Sequence, residues 1–216
     1  VDNLDDSDID SNYACTYYPW VKTFDSDNNQ YIYLPPTKDV VKNFAYTDNT
    51  AYPWFPAAGY SRGRISGVNP KKVLKLSEQD ELYGGRINFI NKFASEGMRI
   101  WGDKNLQVAE SQMNRISKRR LLVRIRKLLS IACIGLIFDP NDNTTVKSFK
   151  SAVEPILDDI RNKKGLTDYR IEVDDSQEAR DRLELPAKIY LKLQPNLEYI
   201  DISFVITPSG ANFDDV

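Results

Sequence analysis

The stretch NRISKRRLLVRIRKLLSIACIGLIFDPND (residues 114–142) decides how the rest of the chain is read. Seven of the thirteen residues from 115 to 127 are Lys or Arg, and no acidic residue occurs from 111 to 138. Leu121, Leu122, Ile125, Leu128, Leu129, Ala132, Cys133 and Leu136 recur with helical spacing, which predicts a long helix over about 116–136 with one apolar face. Arg115, Lys118, Arg119, Arg120, Arg124, Arg126 and Lys127 occupy the remaining arc, interrupted by Ile116, Val123 and Ile134. Such a helix has three readings: an ion-paired structural element, a surface for an acidic protein partner, or a set of phosphate contacts to nucleic acid. A membrane-surface role would need a free apolar face, and here that face is the expected core stripe.

Working outward, the whole chain does not share the basic character of this helix. The formal net charge is −2, so there is no general attraction to nucleic acid. Five of the 31 acidic residues lie in the opening VDNLDDSDID, leaving 26 against all 29 basic residues elsewhere. That opening (1–12) reads as an acidic linker ahead of a domain over 13–216, with sub-lobes at 13–110 and 111–216. The chain starts on Val without a signal sequence and is read as a piece of a longer protein. Its most apolar run, LLSIACIGLIF, has 11 residues, too few to span a bilayer. Two distant cysteines, Cys15 and Cys133, favour free buried thiols in a reducing compartment, with one disulfide left open.

Around the basic helix the predicted elements are mixed. NYACTYYPWVKTFDSDNNQYIYLPPT suggests two strands about a polar turn at 25–29. TKDVVKNFAYTD fits a helix with Thr37 as N-cap and Val40, Val41, Phe44 and Ala45 on one face. NTAYPWFPAAGYSRGRISG reads as an extended loop pinned by aromatics. LSEQDELYGG is a short helix opened by Ser77 and ended by Gly84 and Gly85, followed by strands at 87–91 and in GMRIWGD. After FDPND, Asn143 or Thr144 caps a further helix that Pro155 should kink or break. DYRIEVDD, LPAKIYLKLQ and LEYIDISFVITPSG read as three strands, the last two forming a hairpin at 194–196. Helices followed by a β-meander place the chain in the α+β class: a mostly antiparallel sheet flanked by helices, one of them long, basic and amphipathic.

Candidate chemistry is sparse. The absence of histidine removes imidazole catalysis and His-based metal sites. Asp25, Asp27 and Asn29 imitate half a calcium loop, but Gln30 and Pro36 stand where Gly and Glu are needed, so a polar turn is expected. Asp139, Asn141 and Asn143 fail in the same way, with Thr144 and Lys150 at those positions. Glu172, Asp174 and Asp175 suit a solvated strand end, and the glycines of SRGRISG and GRINFINK are too few for a phosphate loop. No catalytic constellation, metal site or cofactor is implied.

The ordered blocks YYPWVKTFD, LPPTKDVVKNFAYTD, YPWFPAAGYSRGRI, RIWGDKNL, NRISKRRLL, LIFDPND, YRIEVDD and DISFVITPSGANFD carry a resemblance. From about Tyr13 onward the chain resembles the C-terminal region of contractile tail sheath proteins of myovirus-type bacteriophages. It departs from them at 114–122, where an Asn-Val-Arg-Arg-Leu-Phe stretch is common, and at Val173, where Cys is common. The resemblance implies a structural protein of the virion, made in the host cytoplasm, whose subunits stack in six-fold rings around an inner tail tube. Contraction then drives that tube through the host envelope. It implies linkage of neighbouring subunits by terminal arms that add strands to each other's sheets. In this chain Phe204, Val205, Ile206, Ala211, Asn212 and Phe213 would supply the C-terminal strand and tail. The seven basic helix residues would partly ion-pair within the domain and partly face an acidic surface on the tube or a neighbour. No nucleic acid or membrane partner is implied, and the isolated chain is expected to be monomeric. The alternative is a nucleic-acid-binding module using the basic helix at 115–127.

Overall fold

The computed structural model describes Leu4 and residues 6–199. The first unit is a hairpin of β2 (Val21–Asp25) and β3 (Gln30–Leu34), preceded by the short β1 (Thr16–Tyr18). Antiparallel pairing runs from Val21↔Leu34 to Asp25↔Gln30, and β4 (Asn69–Pro70) lies on the other edge of β2. Asp25 closes the turn by accepting from the Asn28 side chain at 2.8 Å and the Asp27 amide at 3.1 Å, with Asn29 at φ 49. These bonds, the Asn28 one first, hold its carboxyl below the usual carboxylate range. The expected polar turn is therefore what DSDNN forms.

Helix α1 (Thr37–Thr50) starts where expected, but Pro36 occupies the cap position and Thr37 makes no capping bond. Its buried face is Val40, Asn43 and Thr47, with Phe44 half-buried and Val41 exposed. Residues three and four apart share a helix face, and the polar members of that set win the interior here over the apolar Val41 and Ala45. The stretch expected as an extended loop contains a one-turn helix, α2 (Gly59–Arg62), entered through Gly59 at φ 80. Directly after it, Gly63 accepts from the Ile100 amide at 2.7 Å. A Cβ at Gly63 would stand 2.5 Å from the Ile100 carbonyl oxygen, so only glycine allows that approach.

Helix α3 (Leu76–Gly84) is capped by Glu78, which accepts from the Lys75 amide at 2.9 Å, rather than by Ser77. β5 (Ile87–Phe93) and β6 (Gly97–Trp101) follow as an antiparallel hairpin, and β1 adds to β5 in parallel. Val21, Val40, Ile65, Ile90, Met98 and Ile100 form the core beneath these elements.

The second half begins with α4 (Ile116–Cys133), extended by a 3-10 turn at Ile134–Leu136. Helix α5 (Asn143–Asn162) is capped one residue earlier than expected. Asp142 accepts from the amides of Thr144 at 2.8 Å and Thr145 at 3.0 Å. The helix continues across Pro155, which is exposed, so the expected break is not there. β7 (Leu166–Val173) and β8 (Ala187–Leu193) pair antiparallel, joined through α6 (Gln177–Asp181), which the sequence reading missed.

Leu121, Ile125, Val153, Leu157, Ile160, Leu166 and Leu193 build the second core, and Trp54 reaches into it from the first half. The Trp54 indole donates to the Lys163 carbonyl at 3.0 Å and stacks on Tyr52 at 4.9 Å. Cys15 and Cys133 are free and half-buried rather than fully buried, and burial pushes both thiols up.

The class is α+β, and four of the five strand pairings among the described residues are antiparallel. The strands form three small sheets in both halves of the chain instead of one meander after the helices. β8 pairs back with β7, and 194–199 carry no strand. The third expected strand, with Phe204, Val205, Ile206, Ala211, Asn212 and Phe213, lies outside the described residues.

Candidate functional site

The basic helix α4 is held at its N-terminus by a residue from another segment. Arg115 sits at the cap position without a capping bond. Asp103, just past β6, accepts from the Ser117 amide at 3.1 Å and from the Ser117 hydroxyl, and its carbonyl accepts from the Ile116 amide at 2.7 Å. A carboxylate at the first turn satisfies orphan helix donors and meets the positive end of the dipole. Burial nevertheless dominates and raises the Asp103 carboxyl to about 6, with the Ser117 bonds and the Lys118 charge offsetting part of the effect.

The structure divides the seven basic residues into two groups. Lys118 is buried and donates to the Gln194 carbonyl and to Asn196 Oδ1 at 3.1 Å. Burial lowers its pKa, against the pull of Asp103 and Glu198. Arg115 pairs with Glu198, whose Oε2 lies 2.9 Å from Nη2. Arg120 pairs with Asp48 and lies 4.6 Å over the Phe44 ring, while Arg119 stacks 3.6 Å over Tyr13. These four build the domain. Arg124, Arg126 and Lys127 are exposed, and no carboxylate among the described residues lies within ion-pair distance of them. The apolar face packs as expected, with Leu121 and Ile125 buried and Leu122, Leu128, Leu129 and Cys133 half-buried against the second core.

The internal group straps 194–199 across the start of α4. Glu198 accepts from Tyr83 at 2.9 Å as well as from Arg115, and the Asn196 amide reaches Ser117 Oγ at 3.3 Å. Burial opposes ionisation of Glu198, but the bonds from Arg115 and Tyr83 outweigh it and hold its carboxyl low. Tyr83 is shifted the other way, pushed well up by burial and by the Glu198 charge. Lys104 completes the cluster, donating to the Tyr83 carbonyl at 2.7 Å with its ammonium 4.4 Å from the Tyr83 ring. Sequence reasoning missed Asp103, Ser117, Tyr83 and Glu198. They come from separate segments, so no local spacing announces them.

The remaining acidic candidates serve local structure. Asp174 accepts from the Ser176 amide at 3.0 Å, and Glu172 pairs with Arg170 on β7. Asn141 donates to the Glu184 carbonyl at 2.9 Å, and Asn143 accepts from Arg180 at 2.7 Å, which ties the α5 entrance to α6. Among the described residues no group of three or more Cys, Asp or Glu is arranged to hold a metal ion. No described helix is long and apolar enough to cross a membrane. The acidic opening is tied down at its end: Asp10 accepts from the Val108 amide at 3.0 Å and Ser11 bridges to Leu106.

No protein-family model matches the chain. It is 34% identical over 224 residues to the tail sheath protein of Vibrio phage KVP40, a match spanning 100% of this chain and 32% of that protein. It is 28% identical over 212 residues to the tail sheath protein of Enterobacteria phage T4, spanning 96% of this chain and 32% of that protein. The chain thus spans about a third of the length of the curated relatives it matches. Among solved structures, the fold matches the sheath complex of an extracellular contractile injection system in its contracted state. The TM-score is 0.86 at 22% identity, covering 99% of this chain and 60% of that one. The helical sheath of the anti-feeding prophage, also contracted, matches with a TM-score of 0.80 at 20% identity over 90% of this chain and 56% of that one. The chain is therefore similar, from end to end, to part of the contractile tail sheath proteins of myoviruses, and it has the fold of contractile injection system sheaths.

Proposed function

We propose that this chain is part of a contractile tail sheath subunit, the C-terminal region of a longer protein. Its subunits polymerise in hexameric rings around an inner tail tube, and contraction of the sheath drives the tube through the host envelope. The protein is mechanical, works in the virion after assembly in the host cytoplasm, and requires neither cofactor nor membrane insertion. The whole-length similarity to tail sheath proteins carries the reading.

The fold supplies a physical means of linkage. The β7–β8 sheet has two strands, and the outer edges of both are unpaired among the described residues. Open edges of this kind accept an added strand through main-chain hydrogen bonds, and residues 204–206 with the tail at 211–213 are the segment we assign to a neighbour's sheet. Heterologous contacts that do not close on themselves build helical assemblies. Of the basic helix, Arg124, Arg126 and Lys127 are the residues we assign to contact with the tube or a neighbour. The other four are committed within the domain. That commitment also weakens the nucleic-acid alternative, since it leaves three free cations on the helix.

Sedimentation velocity tests the reading. The 216-residue chain should sediment as a monomer, while the longer protein containing it should form very large tubular particles. Two small, discrete species would overturn the sheath assignment.

A further inference from the structure

The hairpin of β2 and β3 turns a cluster of aromatic rings to solvent. Its register sets Lys22 opposite Tyr33 and Phe24 opposite Tyr31, so these four side chains share one face of the sheet. Phe24 and Tyr31 meet edge to face at 5.2 Å, and the Lys22 ammonium lies 4.8 Å from the Tyr31 ring. The Lys71 ammonium, 5.8 Å from Trp20 and 5.9 Å from Tyr33, joins Trp20 to the same patch. Trp20, Phe24, Tyr31 and Tyr33 are each between 43% and 55% exposed. The opposite face is the inner one: Val21 is buried in the first core, and Thr23 and Ile32 are half-buried. An antiparallel sheet with one face on the core ordinarily turns polar side chains outward. Here the outward face is aromatic, as in a sheet that lies between two layers. The outer edge of β3 is also unpaired among the described residues. Contiguous exposed rings beside an open strand edge mark an interaction surface.

We propose that this aromatic face and the open β3 edge are covered within a single subunit, by the part of the longer protein that precedes residue 1. The assignment rests on the reading of this chain as the C-terminal region of a longer sheath subunit. Three observations select the occupant. Lys22 and Lys71 already lie over rings of the patch, so the face calls for an apolar cover rather than a charged ligand. A second copy seated there would make the 216-residue chain self-associate, whereas it is expected to be monomeric. The material outside the chain is also large: the chain spans 32% of its Vibrio phage relative, which leaves about two-thirds of such a subunit to be packed. A layer from that part that pairs along β3 gains main-chain hydrogen bonds and buries the rings at the same time.

Hydroxyl-radical footprinting read by mass spectrometry tests this on the 216-residue chain, on the longer protein kept unassembled by dilution, and on its assembled tubes. Trp20, Phe24, Tyr31 and Tyr33 should oxidise readily in the 216-residue chain and several-fold more slowly in the unassembled longer protein. Buried Trp54 should stay slow in both. Equal oxidation of the four rings in both proteins would overturn the assignment. Protection that appears only in tubes would also overturn it, giving the face to a neighbouring subunit or the tube and leaving the sheath reading intact. A longer protein that protects the rings yet never forms tubes would uphold this cover and sink the sheath assembly instead. A variant pair gives a second readout: F24S/Y31S should leave the thermal midpoint of the 216-residue chain nearly unchanged and lower that of the longer protein by several degrees. Shifts of equal size in the two proteins would count against the proposal.

Discussion

At the scale of single residues, Asp103 concentrates the conflict in this domain. It is buried and caps α4 through Ser117, and burial pushes its carboxyl up from the ordinary 3.8 to about 6. Because the folded carboxyl holds its proton more tightly than the unfolded one, stability falls as pH rises from about 3.8 through 6 and then levels off. Between pH 7 and pH 5 the protein should therefore gain on the order of 1 kcal/mol from this group. Denaturant melts across that interval should show the gain, and Asp103→Asn should abolish it. A pH slope unchanged by Asp103→Asn would refute the assignment. The carboxyls held low, such as Glu198 and Asp142, act in the opposite sense at lower pH and leave this window clear. Gly63 makes a separate prediction. Gly63→Ala would drive a methyl into the Ile100 and Gly59 carbonyl oxygens and should cost about 1–3 kcal/mol in chemical denaturation.

At the scale of elements, α5 and the 194–199 strap make contrasting predictions. Pro155 sits inside α5 without an amide to donate, on the exposed side. Pro155→Ala restores a helical hydrogen bond and should raise stability by about 1 kcal/mol or more, read as an upward shift of the thermal midpoint. The strap works through charge: Glu198→Ala leaves Arg115 half-buried and unpaired and removes the acceptor for Tyr83. Its cost should be about 1–3 kcal/mol, accompanied by faster proteolysis within 194–199. Cleavage there at the parent's rate would mean the strap is held without Glu198, through Lys118 and the Asn196–Ser117 bond.

At the scale of the whole molecule, the basic helix is both a structural beam and a reserve of charge. Its first turns are spent on Asp103, Glu198, Asp48 and Tyr13, which join residues far apart in sequence. The later turns keep Arg124, Arg126 and Lys127 in solvent. Charge reversal should separate the two roles. Arg120→Glu should destabilise the isolated chain, because it turns the pair with Asp48 into a repulsion. R124E/K127E should change the free energy of unfolding by no more than about 0.5 kcal/mol. Equal destabilisation by both would mean that the outer cations also hold the fold.

The sequence by itself determined the elements whose signal is local. The apolar period of α4, the polar turn after β2, the presence of the β7 and β8 strands and the α+β class were all readable, because helix faces, turn residues and strand alternation depend on neighbours within a few positions. The cap position lies one residue earlier than expected at Thr37 and Asn143 and two earlier at Ser77, where Glu78 reaches back to the Lys75 amide. What only the tertiary structure decided was pairing at a distance: the reach of Trp54 into the second core, Asp103 as the cap of α4, and the strap formed by Tyr83, Arg115 and Glu198. It also decided which of the seven basic residues are used up and which stay free. Seven like charges on one helix are equivalent in sequence. Packing distinguishes them, because a cation that loses water must find a carboxylate, a carbonyl or an aromatic ring, and those partners come from other parts of the chain.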